Sequence, residues 1–219
     1  MIINGWIDWA VRRDSPNWKA YPYSNYGLGI VWHSMEGWLS GSLAELDKPS
    51  RYASWMFSLD LDGTLYQHYP INTSPWANGN EYANVNWWSC ELEGIQSMPI
   101  NDVQLGTALM LIWEWESYSG LQAYRSGDPS TQTMHEHREV DTISTPNAGP
   151  TACPSERYAL LWKALIEKEN EMTNEQLNVI VQELNAAMVK RMALMEVGSG
   201  SYERMLKAYD MLKAAGLIL

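Results

Sequence analysis

Two of the four histidines and one of the two cysteines in this chain fall within residues 135–154, which read HEHREVDTISTPNAGPTACP. Histidine and cysteine side chains this close together would supply half of a metal site. His33, which ends an apolar run far upstream, is the best candidate for a further ligand. Two histidines and a cysteine, with a fourth position left to water, are typical of catalytic zinc. The alternative for each histidine is an ordinary core or surface residue.

The cysteines narrow the kind of metal site. A zinc finger is disfavoured, because the chain has two cysteines and no Cys-x-x-Cys. Two cysteines also do not form a disulfide framework. Cys90 lies in an apolar, strand-like run, as expected of a small buried hydrophobe. Cys153 lies in a loop beside proline, where a ligand role is plausible.

Size and charge limit the class of protein. With 219 residues, 46% of them hydrophobic, the chain has room for one globular domain and an appendage. The net charge is −11, and residues 1–154 carry 7 basic and 17 acidic side chains, which argues against a nucleic-acid partner. The sequence has no apolar run of about 18 residues, so no membrane insertion is expected. Its start does not resemble a secretory signal, so we expect synthesis in the cytoplasm.

The elements that would position the candidate ligands alternate between strands and helices. Strands are predicted over residues 28–32, 54–59, 64–69 and 85–92, and helices over residues 42–47, 102–118 and 155–169. Asp62-Gly63 predicts a tight hairpin turn. Residues 1–27 are expected to wrap the domain with one short helical turn, and residues 70–84 to form a long loop.

The pattern changes near residue 170. Residues 173–176 read TNEQ, a capping-box sequence that predicts the start of a helix. A turn over residues 198–201 and a second helix over residues 201–215 complete a helical hairpin. A hairpin of this size rarely forms an independent core. We therefore divide the chain into residues 1–169 and 170–219, and expect the second unit to serve wall targeting or homo-oligomer formation.

Six sequence blocks, in order, resemble the zinc-dependent N-acetylmuramoyl-L-alanine amidases. The blocks are GIVWHSMEG (29–37), ASWMFSLDLDGTLYQHYP (53–70), SPWANGN (74–80), WWSCELEG (87–94), HREV (137–140) and TACPSERY (151–158). This type 2 amidase family includes phage endolysins and the peptidoglycan recognition proteins, and the chain looks most like a phage or prophage endolysin. The resemblance implies an α/β fold with a central mixed sheet flanked by helices, followed here by the C-terminal helical hairpin.

The resemblance also implies a ligand set for one zinc ion. The histidine that ends a strand in the family matches His33. The histidine of the HREV block matches His137, with His135 as the alternative ligand. The ligand that precedes a proline in the family, cysteine or aspartate, matches Cys153.

Catalytic and substrate-binding residues follow from the same blocks. The resemblance implies that Glu91 assists the attacking water and that Thr151 donates a hydrogen bond to the oxyanion. Without it, Glu91 would be interpreted as a solvent-facing carboxylate and Thr151 as a helix cap. We expect Trp76, His68 and Trp55 to contact substrate, although Trp76 alternatively anchors the long loop and His68 is as compatible with an exposed position.

Two positions and one segment depart from the family pattern. Met56 and Ala77 stand where the family often has histidine, and neither position is normally a metal ligand. Zinc binding is therefore still expected, with altered substrate contacts. The distance from His137 to Cys153 along the chain is long for the family, and residues 142–150 are interpreted as an inserted loop at the rim of the cleft.

The implied reaction is hydrolysis of the amide between N-acetylmuramic acid and the L-alanine of the stem peptide. Bacterial peptidoglycan is then the partner, and zinc activates the water. An endolysin of this kind acts on the wall after its release, with a holin if it is phage-encoded. The alternative is a peptidoglycan-binding module of the same fold that has lost catalysis.

Overall fold

The computed structural model describes residues 1–16, 19–126, 128–143 and 151–163. Four short strands open the chain: β1 (Ile2–Ile3), β2 (Trp6–Ile7), β3 (Val11–Arg12) and β4 (Ala20–Tyr21). The chain continues with β5 (Ile30–Ser34), α1 (Leu39–Leu46), β6 (Phe57–Leu59), β7 (Leu65–Gln67), β8 (Ser74–Pro75) and α2 (Glu81–Asn86). It then forms β9 (Trp88–Leu92), α3 (Asp102–Ser119), β10 (Met134–Glu136) and α4 (His137–Ile143), and residues 159–163 are helical.

A six-stranded mixed sheet with the order β10-β5-β9-β6-β7-β3 forms the centre of the molecule. The four strands β10, β5, β9 and β6 are parallel to one another. The next strand, β7, is antiparallel to β6, and the last strand, β3, is parallel to β7. Helices flank this sheet, so the predicted α/β fold with a central mixed sheet is confirmed. The pairs β1-β2 and β4-β8 form two small separate sheets.

The two central strands are buried on both faces. All five residues of β5 are buried, and Trp32 and Trp88 from β5 and β9 have no exposed surface. Parallel strands covered on both faces need such continuous apolar runs. Because β5 and β9 are parallel, their carboxyl ends lie at the same edge of the sheet, and this edge carries His33 and Glu91.

The β6-β7 hairpin forms at the predicted Asp-Gly turn. Gly63 has φ +83°, a conformation that side chains of L-residues rarely adopt. A Cβ at this position would also lie 2.5 Å from Cγ1 of Val103 on α3. The turn therefore needs glycine both for its backbone angle and for the close approach of the helix.

Local capping fixes the ends of α3. The Asn101 side chain accepts the backbone N–H of Gln104, and the Gln104 side chain accepts the N–H of Asn101. Gly120 ends the helix in the left-handed conformation with φ +69°. The predicted helix over residues 102–118 is thus confirmed, and its buried face includes Leu111 and Trp115.

Three local predictions are wrong. The predicted strand over residues 85–92 begins only at Trp88, because the Asn80 side chain caps α2 by accepting the N–H of Ala83 and the helix runs on through Asn86. The described residues of the segment 1–27 form short strands and no helical turn. Residues 155–158 are a turn, and the helix predicted over residues 155–169 begins at residue 159.

The predicted helical hairpin of residues 170–219 lies outside the described residues, as do residues 144–150 of the predicted inserted loop. Among the residues that are described, no helix has the length and apolar character needed to cross a membrane.

Candidate metal centre

His33 lies at the carboxyl end of β5 with its side chain buried. The amide nitrogen of Asn78 donates to the carbonyls of Ala83 and Trp87, so the amide oxygen of Asn78 faces His33. That oxygen lies 2.9 Å from Nε2 of His33, and Nε2–H must be the donor. The lone pair is thereby left on Nδ1. Burial, followed by the charge of His137, lowers the pKa of His33 well below its usual value. The neutral imidazole is the form that binds a metal.

The register of β10 brings His137 beside His33. His135 pairs with Val31 and Glu136 with Trp32, so the next residue along the chain lies level with His33. The two imidazole rings are 4.5 Å apart between centroids.

His135 occupies a separate environment. It is buried, its ring lies 4.4 Å from the ring of Trp87, and Nε2 of Gln132 lies 3.5 Å from its Nδ1. Burial lowers the pKa of His135 to about 4. The structure thus brings His137, rather than His135, to His33.

Cys153 lies close to both histidines. Its Sγ accepts a hydrogen bond of 3.3 Å from the backbone N–H of Ser34, the residue after His33. The backbone N–H of Arg138 donates to the Cys153 carbonyl over 2.8 Å, which ties the cysteine to the residue after His137. Burial, together with the charge of Glu91, raises the pKa of the thiol to about 12.

The side chains of His33, His137 and Cys153 each present one ligand atom, and these atoms all lie within 4.8 Å of one another. Two imidazoles and a sulfur are a donor set that suits zinc. A ligating histidine usually donates its other ring N–H to an oxygen, as His33 does to Asn78. The residues present therefore fit a zinc ion with an open fourth position.

Glu91 stands directly beside this group. It pairs with His33 in the register of β5 and β9, and its Oε1 lies 3.9 Å from Nδ1 of His33. Its Oε2 is buried and has no hydrogen-bond partner. Burial raises the pKa of Glu91 to about 7, with the nearby charge of Arg157 opposing the shift and that of Glu36 adding to it. A carboxyl group with this pKa exchanges its proton readily near neutral pH.

A cavity of about 510 Å³ opens next to Glu91. It is lined by residues 34–38, by part of α1, and by Arg51, Trp55 and Glu91. A cavity of this size beside Glu91 is large enough to hold part of a substrate.

The other residues expected at the site occupy different positions. Trp55 lines the cavity. Trp76 is half-buried, and its ring stacks at 6.5 Å and 11° on the exposed ring of Tyr52. Thr151 is half-buried, and its Oγ1 accepts the N–H of Cys153 over 3.2 Å.

His68 departs from the expectation of substrate contact. Its side chain has no exposed surface, and both ring nitrogens are hydrogen-bonded within the protein. Nδ1–H donates to the carbonyl of Arg13, so Nε2 accepts the hydroxyl of Ser58, whose oxygen accepts Nε1–H of Trp55. His68 is therefore linked to Trp55 through the hydroxyl of Ser58. Both of its ring nitrogens already have partners within the protein, so it offers no polar atom to a ligand.

Several supporting residues were not singled out from the sequence. Asn78 lies within the SPWANGN block, and Arg157 and Tyr158 lie at the end of the TACPSERY block. Their partners are 45 to 125 residues away along the chain. The only signal in the sequence was that these residues belong to the blocks. A block does not show which residues they contact in the folded protein.

The comparisons with known proteins identify a family and a fold. The model of a family described as N-acetylmuramoyl-L-alanine amidase matches residues 24–156. No curated protein sequence matches the chain.

Solved structures share the fold at low sequence identity. An AmpD derivative is 19% identical, with a TM-score of 0.56 over 75% of this chain and 98% of that chain. The endolysin N-acetylmuramoyl-L-alanine amidase LysCS from Clostridium intestinale is 16% identical, with a TM-score of 0.53 over 74% and 98%. The Staphylococcus aureus hydrolase AmiA, in complex with its ligand, is 16% identical, with a TM-score of 0.53 over 74% and 85%. At these identities the likeness establishes the fold alone.

Proposed function

This chain belongs to the N-acetylmuramoyl-L-alanine amidase family, and we propose that it hydrolyses the amide between N-acetylmuramic acid and L-alanine with one zinc ion held by His33, His137 and Cys153. It is an amidase that acts on peptidoglycan. The observation that carries the proposal is the grouping of three ligand atoms within 4.8 Å, with Glu91 beside them. Zinc in such a site polarises a carbonyl and lowers the pKa of water.

Glu91 is the general base in this proposal. Its Oε2 has no hydrogen-bond partner among the described residues and its Oε1 lies 3.9 Å from Nδ1 of His33, so the carboxylate is available to hold a proton from the attacking water. Once protonated, Glu91 can return that proton to the nitrogen of the leaving L-alanine. Glu91 thus acts first as base and then as acid.

Thr151 supports the developing oxyanion in this proposal. Its oxygen accepts the N–H of Cys153, which orients the side chain and leaves the hydroxyl hydrogen to donate to another group. A hydrogen bond that strengthens as charge develops on the carbonyl oxygen lowers the barrier. A neutral hydroxyl does so less than a cation would.

The cavity beside Glu91 is the place for the substrate. Trp38 and Trp55 give it apolar surface, while Glu36, Glu45 and Arg51 give it charged groups. An amphipathic lining of this kind suits a peptide stem and its sugar. Trp76 does not line this cavity, and we propose that it forms a wall of the substrate-binding groove outside the cavity.

The biological role we propose is that of an endolysin, which reaches the cell wall after release and lyses the host, with a holin if it is phage-encoded. The family match and the fold shared with an endolysin from Clostridium intestinale support this role. We assign residues 170–219 an accessory role in wall targeting or self-association. Light scattering of the full chain against a chain that ends near Asn170 tests that assignment.

Mass spectrometry of digested peptidoglycan tests the reaction. The amidase releases stem peptides that begin with a free L-alanine amine and leaves the glycan strands intact. New reducing sugar ends, or cuts within the peptide, would contradict the amidase reaction. The same preparation is analysed for zinc. A protein that binds peptidoglycan but holds no zinc and cuts nothing would instead be a binding module of this fold.

A further inference from the structure

Arg157 is a buried cation that joins the ends of two central strands. The residue is 1% exposed. Its Nη1 donates to Oγ of Ser34 over 2.6 Å and to the carbonyl of Leu92 over 3.1 Å. Its Nη2 donates to the carbonyl of Glu93 over 2.7 Å, and its Nε donates to that of Met98 over 2.8 Å. The guanidinium therefore ties the end of β5 to the end of β9.

The guanidinium of Arg157 packs directly against Gly94, where a side chain would otherwise lie. A Cβ at Gly94 would lie 2.3 Å from Nη2 of Arg157, and Gly94 also has φ +121°, which favours glycine. The close approach leaves little freedom for the arginine side chain. Its four acceptors are uncharged oxygens, so the interaction depends on the direction of each donor.

Tyr158 makes a second contact to the same strand end. The residue has no exposed surface, and its hydroxyl donates to the carbonyl of His33 over 2.7 Å. Its ring packs against Trp32, with centroids 5.6 Å apart. Tyr158 therefore holds the backbone of a candidate ligand.

These contacts connect the end of β5 to the turn that contains Cys153. The turn that supplies Cys153 continues directly into Arg157 and Tyr158, which bind Ser34 and His33. The backbone N–H of Ser34 in turn donates to Sγ of Cys153. The family model matches the chain only as far as residue 156, so both side chains lie just beyond the matched residues.

We propose that Arg157 and Tyr158 are positioning residues that hold His33 and Cys153 at metal-binding separation before the metal arrives. This inference rests on the zinc site of the proposed function. Two ligands that are far apart along the chain lose conformational freedom when one ion binds both, and a framework that has already ordered them reduces this cost. Mutation of a residue that orients a metal ligand usually weakens metal binding by about 10–100-fold.

The test uses conservative variants of the full chain with matched controls. Tyr158→Phe removes one hydroxyl, and Arg157→Lys keeps the charge but loses the forked donors. Tyr69→Phe and Arg13→Lys are the controls, because Tyr69 is buried in a separate apolar cluster and Arg13 pairs with Asp47. Zinc affinity is measured by competition with a chromophoric chelator, and unfolding midpoints are measured on the metal-free proteins.

We expect Tyr158→Phe and Arg157→Lys to bind zinc about 10–100-fold more weakly than the wild type, and both controls to bind as the wild type does. A lower unfolding midpoint without a loss of affinity would show a merely structural role and overturn the inference. If Arg157→Lys does not fold, Tyr158→Phe decides alone. A wild type that binds no zinc would overturn the proposed function and this inference together, whereas unchanged affinities in the variants overturn the inference only.

Discussion

The side-chain oxygen of Asn78 lies 2.9 Å from Nε2 of His33 and fixes which ring nitrogen faces the metal position. Asn78 is itself held in place, since its backbone N–H donates to the side-chain oxygen of Asn84 and its amide nitrogen to the carbonyl of Ala83. The segment that contains SPWANGN thus orients a candidate ligand on β5.

Replacement of this asparagine should weaken metal binding. In Asn78→Ala the imidazole of His33 loses the acceptor that fixes its tautomer, so we expect zinc affinity to fall by about 10–100-fold. Asn86→Ala is the matched control. Asn86 is also a buried asparagine, but its side-chain amide donates to the carbonyl of Tyr82 within α2. Chelator competition measures both. Equal affinities in the two variants would remove Asn78 from the metal centre.

The sequence predicted those parts of the fold whose signals are local. The Asp62-Gly63 turn and the Asn101 cap act within a few residues, and the hairpin and α3 form where expected. The strand predicted over residues 85–92 was wrong at its start, because the Asn80 cap extends α2 to Asn86. The branched side chain of Val85 favours a strand, and the cap overrides this preference.

Residues of the site were predictable where a motif carries them. His33, His137 and Cys153 belong to separate blocks, and the structure brings their ligand atoms together. The partner of His33 was not predictable, because Asn78 approaches it only once the sheet has formed. The burial of His68 was also missed, because the hairpin sequence does not reveal that the backbone at Arg13 will lie against this side chain and accept its Nδ1–H.

The choice between the two neighbouring histidines has a direct test. His137→Phe removes the ring nitrogens of a residue whose ring centroid lies 4.5 Å from that of His33, and we expect zinc affinity to fall by more than the about 10–100-fold typical of a supporting residue. His135→Phe keeps an aromatic ring against Trp87, and should bind zinc as the wild type does. Zinc content after dialysis against a weak chelator distinguishes them. The reverse pattern would assign the ligand role to His135.

Glu91→Gln should separate catalysis from metal binding. The amide keeps the shape of the side chain but cannot accept a proton from water, so we expect the rate of stem-peptide release to fall by about 10²–10⁴-fold. Zinc content should stay that of the wild type. Glu81→Gln, at an exposed glutamate that opens α2 and does not line the cavity, is the control and should stay near the wild-type rate. Full activity in Glu91→Gln would remove this residue from the mechanism.

Stability should depend on pH through His68. Burial lowers the folded-state pKa of His68 to about 4, whereas the pKa of an unperturbed histidine is about 6.5. The folded protein holds His68 neutral, so the stability that this provides is fully present above pH 6.5 and is lost as the pH falls towards 4. The loss amounts to about 3 kcal/mol.

His68→Gln isolates this contribution. Glutamine does not titrate, so between pH 7 and pH 4 the free energy of unfolding should fall by about 3 kcal/mol less in the variant than in the wild type. Urea unfolding at the two pH values measures the difference. His135, whose pKa is also lowered to about 4, is present in both proteins, and its contribution cancels. Parallel pH profiles would show that His68 is not held neutral.

The activity on intact cell walls should rise with salt. The chain carries a net charge of −11, and wall polymers that are themselves polyanions repel it at low ionic strength. Raising the salt from about 0.01 M to about 0.15 M shortens the Debye length from about 30 Å to about 8 Å and screens this repulsion. The rate of wall lysis should therefore increase over this range, while hydrolysis of a short soluble muropeptide without net charge should hardly change. If lysis instead weakens steadily from the lowest salt upwards, attraction between the protein and the wall must outweigh the repulsion between their net charges.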